Sequence, residues 1–163
     1  MRNTKAALAW IVGILNELKI PFEIDGGLAA EMYGSDRELV DIDINIPEDQ
    51  FGRLGPLVKE YITFGPKQYK DENWDLYMMT LKYAGQNIDI GTLGNMKYFD
   101  KKEGVWKDVS PDLSDCRIMD YMGMKLPFVN EIKLMIYKQG LDRGVDKKDL
   151  HAVEGQLRKE WSA

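Results

Sequence analysis

One stretch constrains the fold of this chain more than any other. From Leu39 to Ile46 the residues alternate, with Val40, Ile42, Ile44 and Ile46 on one side and Asp41, Asp43 and Asn45 on the other. A period of two marks a β-strand with one buried and one polar face. The polar face holds two carboxylates whose Cα atoms stand about 6.7 Å apart on a strand. Like charges held this way repel unless a cation lies between them. Hard oxygen ligands on a rigid strand suit magnesium, which takes a few carboxylates, waters and substrate phosphates. The plainer reading of the same pattern is the solvated face of an edge strand.

Helix and strand signals alternate around this strand. Thr4 to Lys19 has apolar residues at helical spacing, and Pro21 stops the helix. The apolar run from Ala6 to Leu15 could pass for the core of a signal peptide. However, polar Asn16, Glu17 and Lys19 continue the helix and no small-residue cleavage site follows. Phe22 to Asp25 reads as a short strand entering Gly26-Gly27, and Leu28 to Tyr33 as a short helix. Pro47 opens a helix to about Ile62. Asp75–Tyr83 and Asn87–Leu93 form an expected hairpin around Ala84-Gly85-Gln86. Gly94 to Asp115 lacks a period and is expected to be loop, and Met119 to Val129 holds short strands. Asn130 caps a helix to about Gln139 that Gly140 ends, and a last helix runs from Asp146 to about Trp161. The expected class is α/β (α+β): a small mixed sheet flanked by helices, with a helical C-terminal segment. Residues 1–129 would form the core and residues 130–163 would pack on it, in a single domain overall.

Composition removes several function classes. The chain has 163 residues, enough for one core without disulfide or metal staples. Its single cysteine, Cys116, and single histidine, His151, allow no Cys/His zinc site and no intramolecular disulfide. They lie 35 positions apart in no catalytic motif, so His151 reads as a surface residue. A formal charge of −5 with no basic block argues against a long nucleic acid as partner. No window reaches the roughly 20 apolar residues of a membrane span. The sparse cysteine leads us to expect a cytoplasmic location.

Two further features belong with the paired acids. Gly26-Gly27 sits at a strand-to-helix turn, where glycine allows close approach of a ligand and a helix start offers free N–H groups to phosphate; a plain tight turn explains it equally. Asp89, between Ile88 and Ile90, is an acid inside a β-branched run, which is costly unless it faces a cleft. If its strand lies beside Asp41-Ile42-Asp43, three carboxylates converge, a set able to hold two divalent metals about 4 Å apart. Arg37 could steady these acids or a phosphate. Lys138 could serve a phosphate or merely its helix dipole. Trp74, Trp106 and Trp161 are candidates for a base or acceptor pocket, or for the core. Asp146 to Asp149 reads as a mixed-charge helix start.

Gly26-Gly27, Arg37 four positions before Asp41, Asp41-Ile42-Asp43 starting 14 positions after Gly27, and a lone acid on a later strand together form a pattern. It resembles the minimal nucleotidyltransferases of the DNA polymerase beta superfamily. The branch it most resembles contains small nucleotidyltransferases and the lincosamide and aminoglycoside adenylyltransferases. Leu126-Pro127 through Lys138, followed by Arg143 and Lys148-Asp149, resembles that branch's C-terminal pattern. Many relatives carry Gly-Ser where this chain has Gly26-Gly27, and Gly-Gly occurs among the antibiotic-modifying members.

The resemblance implies the nucleotidyltransferase fold. It also implies a metal-dependent transfer of a nucleoside monophosphate from ATP or another NTP to a hydroxyl of a small acceptor. Asp41 and Asp43 would ligate magnesium, two ions in all, with Asp89 sharing a metal and acting as general base. Gly26 and Gly27 would line the triphosphate, with Arg37 and Lys138 as cations beside it. The acceptor, the base preference and the oligomeric state are left open, a homodimer included. The alternatives are a catalytically silent nucleotide-binding or toxin–antitoxin-type module of the same fold, and a phosphohydrolase using the same acids.

Overall fold

A computed structural model describes residues 1–162; residue 163, the end of the expected C-terminal segment, lies outside them. The elements run α1 (Thr4–Glu17), β1 (Glu23–Asp25), α2 (Gly26–Met32), β2 (Asp41–Pro47), α3 (Phe51–Val58), β3 (Ile62–Lys70), β4 (Trp74–Tyr83), β5 (Gln86–Asp100), β6 (Val105–Asp108), β7 (Arg117–Tyr121), β8 (Met124–Phe128), α4 (Glu131–Leu141) and α5 (Gly144–Ser162). The main sheet runs β3-β4-β5-β2-β1-β8-β7, with β6 added beside β5. It is mixed: β2 pairs parallel with β5 and β1 parallel with β8, and the other pairs are antiparallel.

Side chains alternate across β2 as its sequence requires. Ile42, Ile44 and Ile46 are fully buried in one core with Leu8, Ile11 and Leu15 of α1 and Ile88 and Ile90 of β5. Asp41, Asp43 and Asn45 take the opposite face. Asn3 caps α1, its side chain accepting from the Ala6 N–H at 3.0 Å. Asn130 caps α4 in the same way, accepting from the Lys133 N–H at 2.8 Å. α4 and α5 pack on each other and on α2, which brings the C-terminal helices to the polar face of the sheet.

Three expectations fail locally. The expected loop from Gly94 to Asp115 is strand in its first part, because β5 continues to Asp100 and β6 returns beside it over Val105–Asp108. A left-handed Gly94 (φ +91°) breaks the period there without ending the strand. β3 occupies Ile62–Lys70, where no strand was expected, since Gly65 and Pro66 interrupt its pattern. Gly140 lies inside α4 rather than ending it. A Cβ there would lie 2.5 Å from the Tyr98 ring, so this glycine lets helix and sheet meet, and the left-handed residue that closes the helix is Asp142 (φ 50°).

Candidate active site

The strand register builds the site. Asp25 on β1 pairs with Asp43 on β2, Asp43 with Asp89 on β5, and Asp89 with Thr80 on β4. Four strands thus lay Thr80, Asp89, Asp43 and Asp25 in one row across the sheet, and Asp41 projects from the same face of β2 two residues before Asp43. All five line a cleft of about 590 Å³, together with Gly26, Gly27, Arg37, Tyr137, Lys138 and Arg143.

Each acid has a distinct environment. Asp25 is buried and fully bonded: Oδ1 accepts from the Gly26 N–H at 2.8 Å and the Tyr137 hydroxyl at 2.6 Å, and Oδ2 from the Asn45 amide at 2.9 Å. It also caps α2. Asp89 accepts from the Thr80 hydroxyl at 2.7 Å. Burial raises the Asp43 pKa well above the usual carboxylate range, and Asp89, Asp25 and Asp41 add to the rise against the opposing charge of Lys138. Burial also raises Asp89, assisted by Asp41 and resisted by the Thr80 bond.

The glycine pair is shaped by these neighbours. Gly26 has φ +60°, and a Cβ on it would run into the Asp43 carboxylate. A Cβ on Gly27 would lie 2.8 Å from Arg37 Nη2. Serine at this position would need Arg37 to move.

Opposite the acids stands an ion network. Arg37 forks onto Asp149, with Nε donating to Oδ1 at 2.8 Å and Nη2 to Oδ2 at 2.9 Å. The Ser35 hydroxyl donates to Asp149 Oδ1 at 2.7 Å. Lys138 Nζ lies 2.9 Å from Asp149 and 3.3 Å from Asp146, and Arg143 forks onto Asp146 at 2.7 and 3.0 Å. Burial opposes ionisation of Asp149, but the bonds from Arg37, Lys138 and Ser35 overcome it and hold its pKa below the ordinary value. Three cations against two anions leave a surplus positive charge. Lys138 is only 2% exposed and holds the network together, whereas Arg37 at 22% and Arg143 at 32% can present charge to a ligand.

Of the residues singled out in the sequence, the cleft gathers Asp41, Asp43, Asp89, Gly26, Gly27, Arg37, Lys138 and Trp74. Arg37 is bonded to Asp149 and not to the Asp41–Asp43 pair. In the segment Asp146 to Asp149 the two aspartates are buried and Lys147 and Lys148 face solvent, so this is more than a mixed-charge helix start. Trp106 packs on Phe99, Trp161 is 87% exposed on α5, and His151 is exposed; none lines the cleft. Asp25 and Tyr137 escaped the sequence reading as site residues, and Asn45 was read only as part of the polar face of β2. An acid just before a glycine pair at a helix start is a cap signal, and it was the one available hint for Asp25.

Among the described residues, no group of three or more Asp, Glu, His or Cys side chains is arranged to hold a metal ion. The donor chemistry nonetheless fits a hard cation. Asp41, Asp43 and Asp89 offer only carboxylate oxygens, and burial first, then neighbouring carboxylates, disfavour the charged forms of Asp43 and Asp89, a cost that a divalent ion would offset.

No family model matches the chain, and no characterised protein matches it by sequence. Solved structures do match. A provisionally assigned nucleotidyltransferase from Thermotoga maritima superposes with a TM-score of 0.66 at 22% identity, over 99% of this chain and 96% of that one. A lincosamide antibiotic adenylyltransferase bound to lincomycin gives 0.63 at 17%, over 94% and 98%. The chain has the nucleotidyltransferase fold. The antibiotic-resistance factor ANT(2″)-Ia, in complex with adenylyl-2″-tobramycin, shares this fold at a TM-score of 0.59 and 14% identity, over 95% and 90%. In this nucleotidyltransferase fold the acid row lies across the middle strands of the sheet, and the same cleft takes Lys138 from α4, Arg143 from the α4–α5 connection and Arg37, held by Asp149 of α5, from the loop before β2.

Proposed function

We propose that the chain transfers a nucleoside monophosphate from ATP or another nucleoside triphosphate to a hydroxyl of a small acceptor, with Asp41, Asp43 and Asp89 holding magnesium. The observation that carries this reading is the row of acids facing Arg37, Lys138 and Arg143 across one cleft. Magnesium, when bound, supplies neutralisation of the phosphate charge.

The chain's own groups have separable tasks. Gly27 leaves bare backbone at the start of α2, where phosphate oxygens can come close, and Gly26, its N–H given to Asp25, makes room for the Asp43 carboxylate. Arg37 and Arg143 attract the β- and γ-phosphates, held in place by Asp149 and Asp146. Asp89 accepts the proton of the acceptor hydroxyl, and the Thr80 bond fixes its orientation. The acceptor oxygen bonds to the α-phosphorus, the bond from that phosphorus to the bridging oxygen breaks, and pyrophosphate leaves on the cation side. Asp25, bonded through both oxygens, holds the turn at Gly26 in shape.

The test uses a triphosphate labelled on the α-phosphate, magnesium, and hydroxyl acceptors of the lincosamide and aminoglycoside classes bound by the structural neighbours. Pyrophosphate and a labelled acceptor are expected, and Asp89→Asn should slow transfer on the order of 10²–10⁴-fold. Label released only as free monophosphate would make the chain a hydrolase. Unchanged transfer in Asp89→Asn would remove the base assignment.

A further inference from the structure

The β3–β4 side of the cleft differs from the side carrying the cations. Phe64, Tyr69, Trp74, Leu76, Met78 and Met96 form an apolar wall there. Leu76, Met78 and Thr80 alternate along β4, so the wall continues the face that carries the acid row. Met78 pairs with Gly91 and Leu76 with Met96. A Cβ on Gly91 would lie 2.7 Å from Met96 Cε and 3.3 Å from Leu76 Cδ1, so the bare glycine lets both side chains close over the floor. Trp74 meets Tyr137 edge-on at 5.6 Å, which ties the wall to the residue that bonds Asp25.

The wall has little unused negative charge. Its one acid, Asp71, has Oδ1 taken by the Asn73 and Trp74 N–H groups, both at 2.7 Å, and Oδ2 by the Tyr69 hydroxyl at 2.8 Å. Lys67 Nζ stands 4.6 Å from the Phe64 ring at the rim, with exposed Glu72 in the β3–β4 turn as the opposing charge. The carboxylates a polyamine could reach from here are those of the acid row, which bound magnesium would occupy. An apolar face would cover half-buried Trp74 and Met78, and methionine adapts to varied shapes.

In-line displacement decides which substrate this wall serves. With pyrophosphate leaving toward Arg37 beside the Gly26-Gly27 turn, the attacking oxygen must come from the opposite side, past Asp89 toward β4. We propose that the wall is the acceptor subsite and that it takes a hydroxyl compound with a broad apolar face and at most one positive charge. This deepens the nucleotidyl-transfer reading and rests on it.

Calorimetric titration separates the two claims. The probes are lincomycin, an amphiphile with a single amine, tobramycin, a polyamine, and a non-hydrolysable ATP analogue, each with magnesium. Lincomycin should bind at least tenfold more tightly than tobramycin. Trp74→Ala should weaken lincomycin at least tenfold and leave the analogue unchanged, and Met78→Ala, a milder truncation, should act in the same direction. Tighter binding of tobramycin, or no binding of either acceptor while the analogue still binds, overturns the subsite and leaves nucleotidyl transfer standing. An analogue weakened by these substitutions in place of lincomycin assigns the wall to the nucleoside base and also overturns it. Failure of wild-type protein to bind the analogue contradicts the nucleotidyl-transfer reading itself.

Discussion

Asp43 shows how a single residue can serve the site at the expense of the fold. It is crowded by Asp89, Asp25 and Asp41 and is raised in pKa chiefly by burial. Asp43→Asn should therefore raise the melting temperature by a few degrees, about 1 kcal/mol, while abolishing transfer. Thermal melts beside a transfer assay check both parts. Glu23 is a second strained acid. It is fully buried, bonded to Asn45 at 3.1 Å and Lys133 at 3.3 Å, and raised to about 7, mainly by burial and then by Asp25. A carboxyl whose pKa is higher in the folded state stabilises in its protonated form, so stability is fullest below the ordinary value of 4.5 and falls as pH rises toward about 7. The fall is at most about 3 kcal/mol, and Glu23→Gln should flatten it in urea unfolding followed across that range. The pairing of Asp41 with Asp43 was legible because alternation is local. The place of Asp25 beside them was not, because it arises from the antiparallel register of two strands 15 or more residues apart in sequence.

At the scale of elements, the turn from β1 to α2 and the crossing of α4 with α5 position the chemistry. Gly26→Ala would force a side chain into a left-handed backbone at a cost of roughly 1–3 kcal/mol and push against Asp43. Loss of triphosphate binding together with lower stability is expected, read by calorimetry and denaturant unfolding. Lys138→Met would leave Asp146 and Asp149 buried with one cation fewer, a cost of about 3 kcal/mol, and its unfolding midpoint should fall well below that of Lys148→Met, whose side chain faces solvent. The hairpin of β4 and β5 was readable from its alternating faces and the Ala84-Gly85 turn. Long β5 was read only to Leu93, because Gly94 hides its continuation. β3 went unread because Gly65 and Pro66 erase its period, and what holds it in the sheet is pairing with β4.

For the whole molecule, sheet and C-terminal helices share one charged interior. Asp149 on α5 holds Arg37 from the loop before β2, and Tyr137 on α4 holds Asp25 on β1. We propose that residues 1–129 and the C-terminal segment fold as a unit. Removing 144–162 takes away both aspartates and the buried Val153, so cooperative unfolding should be lost. We propose that the acid row works with magnesium on a triphosphate. The most direct test of this proposal is calorimetric titration of a non-hydrolysable ATP analogue into wild type and Asp43→Asn, with and without magnesium. Magnesium-dependent binding to the wild type alone is the predicted result. Equal binding by both proteins, or binding indifferent to magnesium, would contradict it.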